Sequence, residues 1–405
     1  MTIMKKTLLI LAGMAVAASS ADLPKDPSLV LPKSRDKLFV VERENSALAV
    51  IENNMLANEI KDMHNFNHAV VKFRDNDGYV ITRDGYVIKF DPIAEKKLKE
   101  YKTSESAIGF IVGDNYVAVA NYDNKTVEIL DRDLNHLQTI ETGSKNVGIK
   151  EYKDYLVFAC MDSDELWVMK DETPTGETPR FKLYKKIEKA GEVPFDAMID
   201  KNLYVVGFFN SKNVGVLDLD TMKYRQVPLK MGKKERILKV PHFGFWSISG
   251  KYFFIPAVGN KKVFVFDHDF HFVKAIDVEG NPVFTALSPD KKWLAVTFSG
   301  KKFPVVQIVD AKNLKVVRRF EFPGMILHVR WSPNHPYLYF SINDKNMVRA
   351  FKVSDPDPKN WWLNLEWQVP KPSGIFVFVQ KKKQGSSKKR IDSEREFIPL
   401  KKDLH

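Results

Sequence analysis

Short apolar runs recur along the whole chain, each spanning four or five residues and closed by a polar one. The runs are Leu48-Ala49-Val50-Ile51-Glu52, Val87-Ile88-Lys89-Phe90-Asp91, Val127-Glu128-Ile129-Leu130-Asp131 and Leu166-Trp167-Val168-Met169-Lys170-Asp171. They continue as Val214-Gly215-Val216-Leu217-Asp218, Val263-Phe264-Val265-Phe266-Asp267, Val306-Gln307-Ile308-Val309-Asp310 and Val348-Arg349-Ala350-Phe351-Lys352. Their closing residues follow one another at intervals of 39 to 49 residues. A period slightly above 40 with several strands per unit is the signature of propeller blades. One four-stranded blade is too small to bury its own faces, whereas a closed ring of blades covers both faces and leaves only short edges. The pattern predicts an all-β, eight-bladed β-propeller.

Each unit reads as an inner strand, a tight turn, a second strand, another turn and then the run named above. Asn76-Asp77-Gly78, Arg83-Asp84-Gly85 and Ser288-Pro289-Asp290 supply the turn chemistry. A doubly wound fold needs helical spacers between its strands. The clearest helical piece predicted here is a short one near Pro92 to Tyr101. Residues 370–379 are expected to add a closing strand beside an N-terminal strand around Lys37 to Glu42.

The first residues read as an export signal. Lys5 and Lys6 precede an apolar stretch from Thr7 to Ala18 that is too short to span a bilayer. Ser19-Ser20-Ala21 then offers small residues for cleavage after Ala21, which predicts a periplasmic protein. The expected organisation is a signal peptide over 1–21, the propeller over 22–380 and a basic tail over 381–405. No other apolar run is long enough to cross a membrane, so no transmembrane segment is expected after cleavage.

Charge changes the picture modestly. The net charge of +12 sits partly in Lys381-Lys382-Lys383 and Lys388-Lys389-Arg390. An exported chain meets little nucleic acid, so the tail reads as solvated or weakly drawn to anionic lipid. The same field draws in an anionic ligand. The single cysteine, Cys160, lies in the run Tyr155 to Cys160 and reads as a small core residue. No CxxCH is present, so covalent c-type haem is excluded, and no paired CxxC argues for zinc. Nucleotide-binding glycine fingerprints, a nucleophile elbow and HExxH are also missing.

In a propeller, inner-strand starts and second-strand ends converge on one mouth of the central channel. Inner-strand starts here carry His68, Asp196, His242 and His328. Second-strand ends carry Arg83, Asn121, Tyr122 and Asp162. The chain has nine histidines, and three of them fall at equivalent blade positions. A neutral imidazole is a good iron ligand. An arginine grips a carboxylate bidentately. Asp162 or Asp196, if partly buried, suits general acid or base work. Structural readings stand beside these. His328 reads equally as a hydrogen-bonded strand residue, Arg83 as a partner of Asp84 or a neighbouring blade, Asp196 as a turn cap, and Asn121 and Tyr122 as bridges between blades.

The same segments resemble the NirF-type proteins of haem d1 biosynthesis and, more distantly, the haem-binding propeller of the haem d1 nitrite reductases. The matching runs include Asn67-His68-Ala69-Val70-Val71-Lys72-Phe73, Thr82-Arg83-Asp84-Gly85, Ala120-Asn121-Tyr122 and Pro194-Phe195-Asp196-Ala197. Val240-Pro241-His242-Phe243-Gly244-Phe245-Trp246, Gly280-Asn281-Pro282-Val283-Phe284 and Lys371-Pro372-Ser373-Gly374-Ile375-Phe376 extend the match to about residue 380. The resemblance implies a ligand that is haem d1 or its precursor, a tetrapyrrole with several carboxylates. It implies His68 as the axial iron ligand and as a catalytic residue with Asp162 and His242. Arg83, Asn121, Tyr122, Asp196, His242 and His328 would contact the macrocycle. Asp162 stands where the reductases keep a histidine, which argues against nitrite reduction. The implied partners are the tetrapyrrole, the haem d1 nitrite reductase and other haem d1 maturation proteins, with a homo-oligomer left open. The implied activity is modification of a tetrapyrrole side chain, such as dehydrogenation, or carriage without chemistry. The alternative expectation is a cofactor-free periplasmic propeller that acts as an interaction scaffold.

Overall fold

A computed structural model describes residues 36–173, 177–231, 234–235, 246–257 and 261–381. The leader over 1–21, His242 and the tail beyond Lys381 lie outside the described residues.

The chain forms eight four-stranded antiparallel sheets and one two-stranded ribbon, with no α-helix among the described residues. Among the described residues no helix is long and apolar enough to cross a membrane. The inner strands, in ring order, are Val70–Arg74 (blade 1), Ala107–Val112 (blade 2), Asn146–Tyr152 (blade 3) and Pro194–Asp200 (blade 4). Blade 5 begins with Ser247–Ile248, blade 6 with Pro282–Leu287, blade 7 with Ile326–Trp331 and blade 8 with Pro372–Phe378. Inner strands of neighbouring blades touch at seven of the eight steps, blade 8 to blade 1 included, and blades 4 and 5 share a core of Met198, Val205, Phe253 and Ile255, so the ring closes. The predicted eight-bladed propeller is therefore the fold.

Blade 8 joins the two ends of the chain. Its inner strand pairs antiparallel with Lys37–Glu42, and Phe39 lies opposite Phe376. Ala47–Glu52 and Met55–Ile60 complete the sheet. Aromatic side chains seal the seam with blade 1. The Phe39 ring lies 5.3 Å from Phe90, 5.5 Å from Phe73 and 6.3 Å from Phe378. Cys160 is buried, and burial pushes its thiol up to about 12, so it stays protonated and inert.

Burial follows strand position. Second strands such as Tyr116–Asn121 are buried along their whole length because a neighbouring blade covers each face. Fourth strands face solvent and carry the charge. The segment expected to be helical is one of these: residues 92–95 form a turn, and Lys96–Lys102 pairs with Tyr86–Asp91 as the outer strand of blade 1. Its lysines and glutamate suit an exposed edge, which they protect from pairing with another chain.

The aspartate that closes six of the eight third strands has a structural reason. Asp91 Oδ1 accepts the N–H groups of Ile93 and Ala94 at 2.8 and 2.9 Å. Asp131, Asp218, Asp267 and Asp310 cap the corresponding turns in the same way. Such a carboxylate replaces backbone partners in the turn between third and fourth strands. The repeat visible in the sequence is thus a repeat of turns at the end of the ring opposite the candidate mouth.

Candidate functional site

One hydrogen bond recurs in seven blades and defines the mouth. In six of them the residue that follows the second strand donates its N–H to the carbonyl of the residue that precedes the inner strand; in blade 1 the donor is two residues past its strand and the acceptor five before. The pairs are Arg43 to Lys371, Arg83 to Asn65, Tyr122 to Ser106, Met161 to Lys145, Phe209 to Val193, Ser299 to Asn281 and Asn343 to Met325, at 2.8 to 3.3 Å. Both groups of predicted positions therefore meet on one face of the ring.

Three residues beyond each acceptor come His68, Gly109, Gly148, Asp196, Phe284, His328 and Gly374. In the inner strands of blades 2, 3, 4, 6 and 7 the pairing register breaks at or beside this position. Such bulges re-aim side chains at strand ends. His68 reaches its place through a left-handed backbone, φ 64°. Glycine removes the side chain at three of the seven positions, and Gly148 also has positive φ, 61°. Among the described residues the mouth is thus furnished unevenly, with side chains at His68, Asp196, Phe284 and His328 and glycine at the other three positions.

His68 is exposed at the rim of blade 1. Its loop is pinned underneath by Met63 and Phe66, both in the core. Beside them, His64 stacks on Tyr86 with ring centroids 3.7 Å apart and meets Glu100 at 2.8 Å. His328 is half-buried between Phe284 and Phe376, with centroids 5.8 and 6.0 Å away. The Ile375 N–H donates to its Nδ1 at 3.2 Å, so Nδ1 carries no proton and a neutral ring carries it on Nε2. That makes His328 a hydrogen-bond donor rather than an iron ligand.

Arg83 is exposed and donates from Nη1 to Ser106 Oγ of the next blade at 2.9 Å. Its neighbour Asp84 is occupied by the Thr82 hydroxyl at 2.6 Å and the Asn65 N–H at 3.2 Å. Arg83 has no carboxylate partner among the described residues. Gly85 fixes this turn. It has φ 81°, and an added Cβ would collide with the Ser104 carbonyl. Gly85→Ala is therefore expected to cost about 1–3 kcal/mol and to move Arg83 off the rim. Urea unfolding measures the first effect; unchanged stability would show that the turn relaxes freely.

Asn121 is fully buried. Its Nδ2 donates to Thr126 Oγ1 at 2.9 Å, and its Oδ1 accepts from Thr103 Oγ1 at 3.0 Å. Its backbone carbonyl accepts from Asn146 Nδ2 of blade 3 at 3.3 Å. These contacts match the bridging alternative. Tyr122 is half-buried, with its hydroxyl 3.6 Å from Met161 Sδ and the Lys145 ammonium 5.1 Å from its ring. Asp196 is half-buried in blade 4, and its Oδ1 accepts the Ala197 N–H at 2.8 Å.

Asp162 is exposed at the rim of blade 3. It accepts the Lys145 N–H at 3.2 Å and lies 3.3 Å from the Lys125 ammonium. Partial burial raises its carboxyl, but these partners outweigh that and hold it below the usual carboxylate range. Asp162 is therefore a fixed anion near neutral pH and has no proton to give.

Sequence reasoning overlooked two neighbours. Arg43 follows the second strand of blade 8 and makes there the backbone bond that Arg83 makes in blade 1. Glu42 just before it is fully buried, and burial pushes its carboxyl up to about 7. Aligning the Leu48–Glu52 run on Val87–Asp91 sets Arg43 level with Thr82, one residue before Arg83. Among the described residues, Asp267, Asp269 and His271 come close enough together to hold a cation. They belong to a capped turn at the opposite end of the ring.

Known proteins resemble this chain along most of its length. Protein NirF of Pseudomonas aeruginosa is 28% identical over 367 residues, covering 85% of this chain and 91% of the relative. Protein NirF of Stutzerimonas stutzeri is 26% identical over 397 residues, covering 92% and 97%. Among solved structures, dihydro-haem d1 dehydrogenase NirN in complex with DHE superposes with a TM-score of 0.72 at 20% identity, covering 88% of this chain and 78% of that one. Apo AztD from Citrobacter koseri superposes with a TM-score of 0.60 at 12% identity, covering 85% and 97%. These superpositions agree on the propeller. The model of the cytochrome D1 haem domain matches residues 33–382, and the chain belongs to that family.

Proposed function

We propose that this protein works in haem d1 biosynthesis, binding a haem d1 precursor across the mouth of the ring and either modifying it or handing it on. One observation carries the reading: the positions of His68, Arg83, Asp196 and His328 lie on one face of the ring in a chain that resembles NirF almost end to end. A flat macrocycle with carboxylates around its edge suits a rim whose polar groups are spread over several blades.

Each residue has a task its surroundings support. His68, exposed on a left-handed turn, offers an imidazole nitrogen to iron. Arg83 is held by Ser106 and presents its guanidinium to a carboxylate. His328 donates from Nε2, and Tyr122 offers a ring face beside Lys145. Asn121 holds the Tyr122 loop in place. Asp162 supplies fixed negative charge rather than a proton. Half-buried Lys72, Lys150 and Arg330 in the inner strands add a positive field that favours an anionic ligand. His242 belongs to the reading through the resemblance. The reading includes export to the periplasm and maturation of the haem d1 nitrite reductase.

Binding is tested with purified protein and haem d1. A specific complex should raise stability by about 2.7 kcal/mol at a hundredfold excess over Kd. His68→Ala should alter the visible spectrum of the bound iron and weaken binding by about tenfold, or about 1.4 kcal/mol. A wild-type spectrum and affinity in that variant would remove the ligand assignment. No thermal gain in the wild type would favour the scaffold alternative. Mass spectrometry after a single-turnover mix then separates loss of hydrogen from an unchanged cargo.

A further inference from the structure

Three residues of the loop that leads to His68 have left-handed backbones. The loop runs from Lys61 to Ala69, between the outer strand of blade 8 and the inner strand of blade 1. Asp62, His64 and His68 have φ of 58°, 60° and 64°. Aspartate and histidine tolerate this region better than most residues. It is still costly for a residue with a Cβ and persists only where the surroundings hold it.

The restraint comes from the outer half of blade 1. His64 stacks on Tyr86, with ring centroids 3.7 Å apart and planes at 3°. Tyr86 packs in turn on the core that contains Met63 and Phe66. His64 Nε2 donates to Glu100 Oε2 at 2.8 Å. Burial raises the Glu100 carboxyl, but the bonds from Lys97 and His64 outweigh that and hold it below the usual carboxylate range, so it accepts as a carboxylate near neutral pH. Lys97 closes the circuit, because its ammonium meets Glu100 at 2.5 Å and donates to the Asp62 carbonyl at 2.8 Å. Two of the three left-handed residues, Asp62 and His64, are thus gripped directly by the outer strand Lys96–Lys102. The third, His68, follows on the segment that these contacts carry to the rim.

We propose that His64 is a positioning residue of the mouth: its stack on Tyr86 and its bond to Glu100 hold the loop in the backbone path that presents the His68 imidazole to the ligand. The proposal rests on the tetrapyrrole reading of His68 and goes beyond it, because it names what fixes that imidazole from outside the site. His64 is turned towards the outer strand and acts through His68.

The test separates the loop from the fold. Wild type, His64→Ala, His64→Phe and Glu100→Gln are titrated with haem d1, and visible spectra are recorded at saturation. If alanine leaves the loop in the presenting path about a tenth of the time, the apparent Kd rises about tenfold. The saturated His64→Ala complex should then mix the wild-type iron bands with those of His68→Ala, since part of the iron lacks its imidazole. His64→Phe keeps the stack and Glu100→Gln keeps an acceptor for Nε2, so each should recover part of the loss. A merely structural role would lower the urea midpoint and leave the saturated spectrum alone. A wild-type spectrum in saturated His64→Ala would therefore overturn the proposal, whatever the urea midpoint does. Amide hydrogen exchange on the ligand-free protein keeps this apart from failure of the tetrapyrrole reading. The Met63 N–H donates to the Ser46 carbonyl at 3.0 Å, and the Ala69 N–H to that of Phe66 at 3.3 Å. His64→Ala should speed exchange at these two amides by about tenfold and leave the inner strands of the other blades unchanged. If haem d1 does not bind the wild type but the loop amides respond, the iron role of His68 falls and the restraint by His64 stands. If the loop amides exchange at the wild-type rate, the restraint falls, whether or not haem d1 binds.

Discussion

Phe39→Ala is expected to destabilise the ring by about 3–5 kcal/mol, the range for deleting a fully buried phenylalanine. Phe39 is completely buried in the second strand of blade 8. Its ring touches the closing strand through Phe378 and blade 1 through Phe73 and Phe90. The cavity would open at the seam where the ends of the chain meet, surrounded by strands already committed to their ladders and poorly able to collapse into it. Leu98→Ala is the internal control. Leu98 lies on an outer strand and is 47% exposed, so its loss should fall within about 0.5 kcal/mol. Urea midpoints compare the two; equal midpoints would mean that the aromatic seam is not a source of stability.

Glu42→Gln should do the reverse and stabilise the protein at alkaline pH. Burial raises the Glu42 carboxyl from 4.5 to about 7, repulsion from Glu59 adds to this, and the Asn45 bond and Lys61 oppose it. Between those values the folded protein keeps a proton that the unfolded chain has released. Stability from this group is therefore full below about pH 4.5 and falls as pH rises to about 7, by up to about 3 kcal/mol. Glutamine removes the buried charge but leaves an amide beside the site where Oε1 lacks a partner, which costs part of the gain. The expected net is about 2 kcal/mol of added stability at pH 8 and little change at pH 4. The turn-capping aspartates contribute the opposite slope in acid, so the quantity to measure is the difference between variant and wild type across pH. Parallel curves would mean that Glu42 ionises normally.

Much of this architecture was legible because it repeats. The turn after each third strand imposes an apolar run closed by a polar residue, aspartate in six of the eight, at near-constant spacing, and eight copies gave the blade number. The outer strand Lys96–Lys102 was misread because an edge strand with one solvated side has no strict alternation, and its lysines and glutamate have high helix propensity. The mouth was legible in outline. His68, Arg83, Asp196 and His328 lie on the predicted face because propeller geometry puts them there. Their partners were not legible. Whether Asn121 faces a ligand or Thr103, and whether Asp162 is anchored by Lys125, depends on contacts between blades far apart in sequence. Arg43 escaped notice because its blade is split between the chain ends, so its repeat begins in the middle.

That split blade also sets an order of events. Lys37–Glu42 is an apolar strand with buried positions throughout, yet its inner neighbour is more than 300 residues away in the chain. Until Pro372–Phe378 arrives, one side of that strand is an open template. Joining contacts so remote is slow, because loop closure must precede any reward from pairing. An incomplete chain therefore exposes the sticky border for as long as the last strand is missing, and a chaperone or cold, dilute refolding should raise the yield of native protein by shielding that border until the last strand docks.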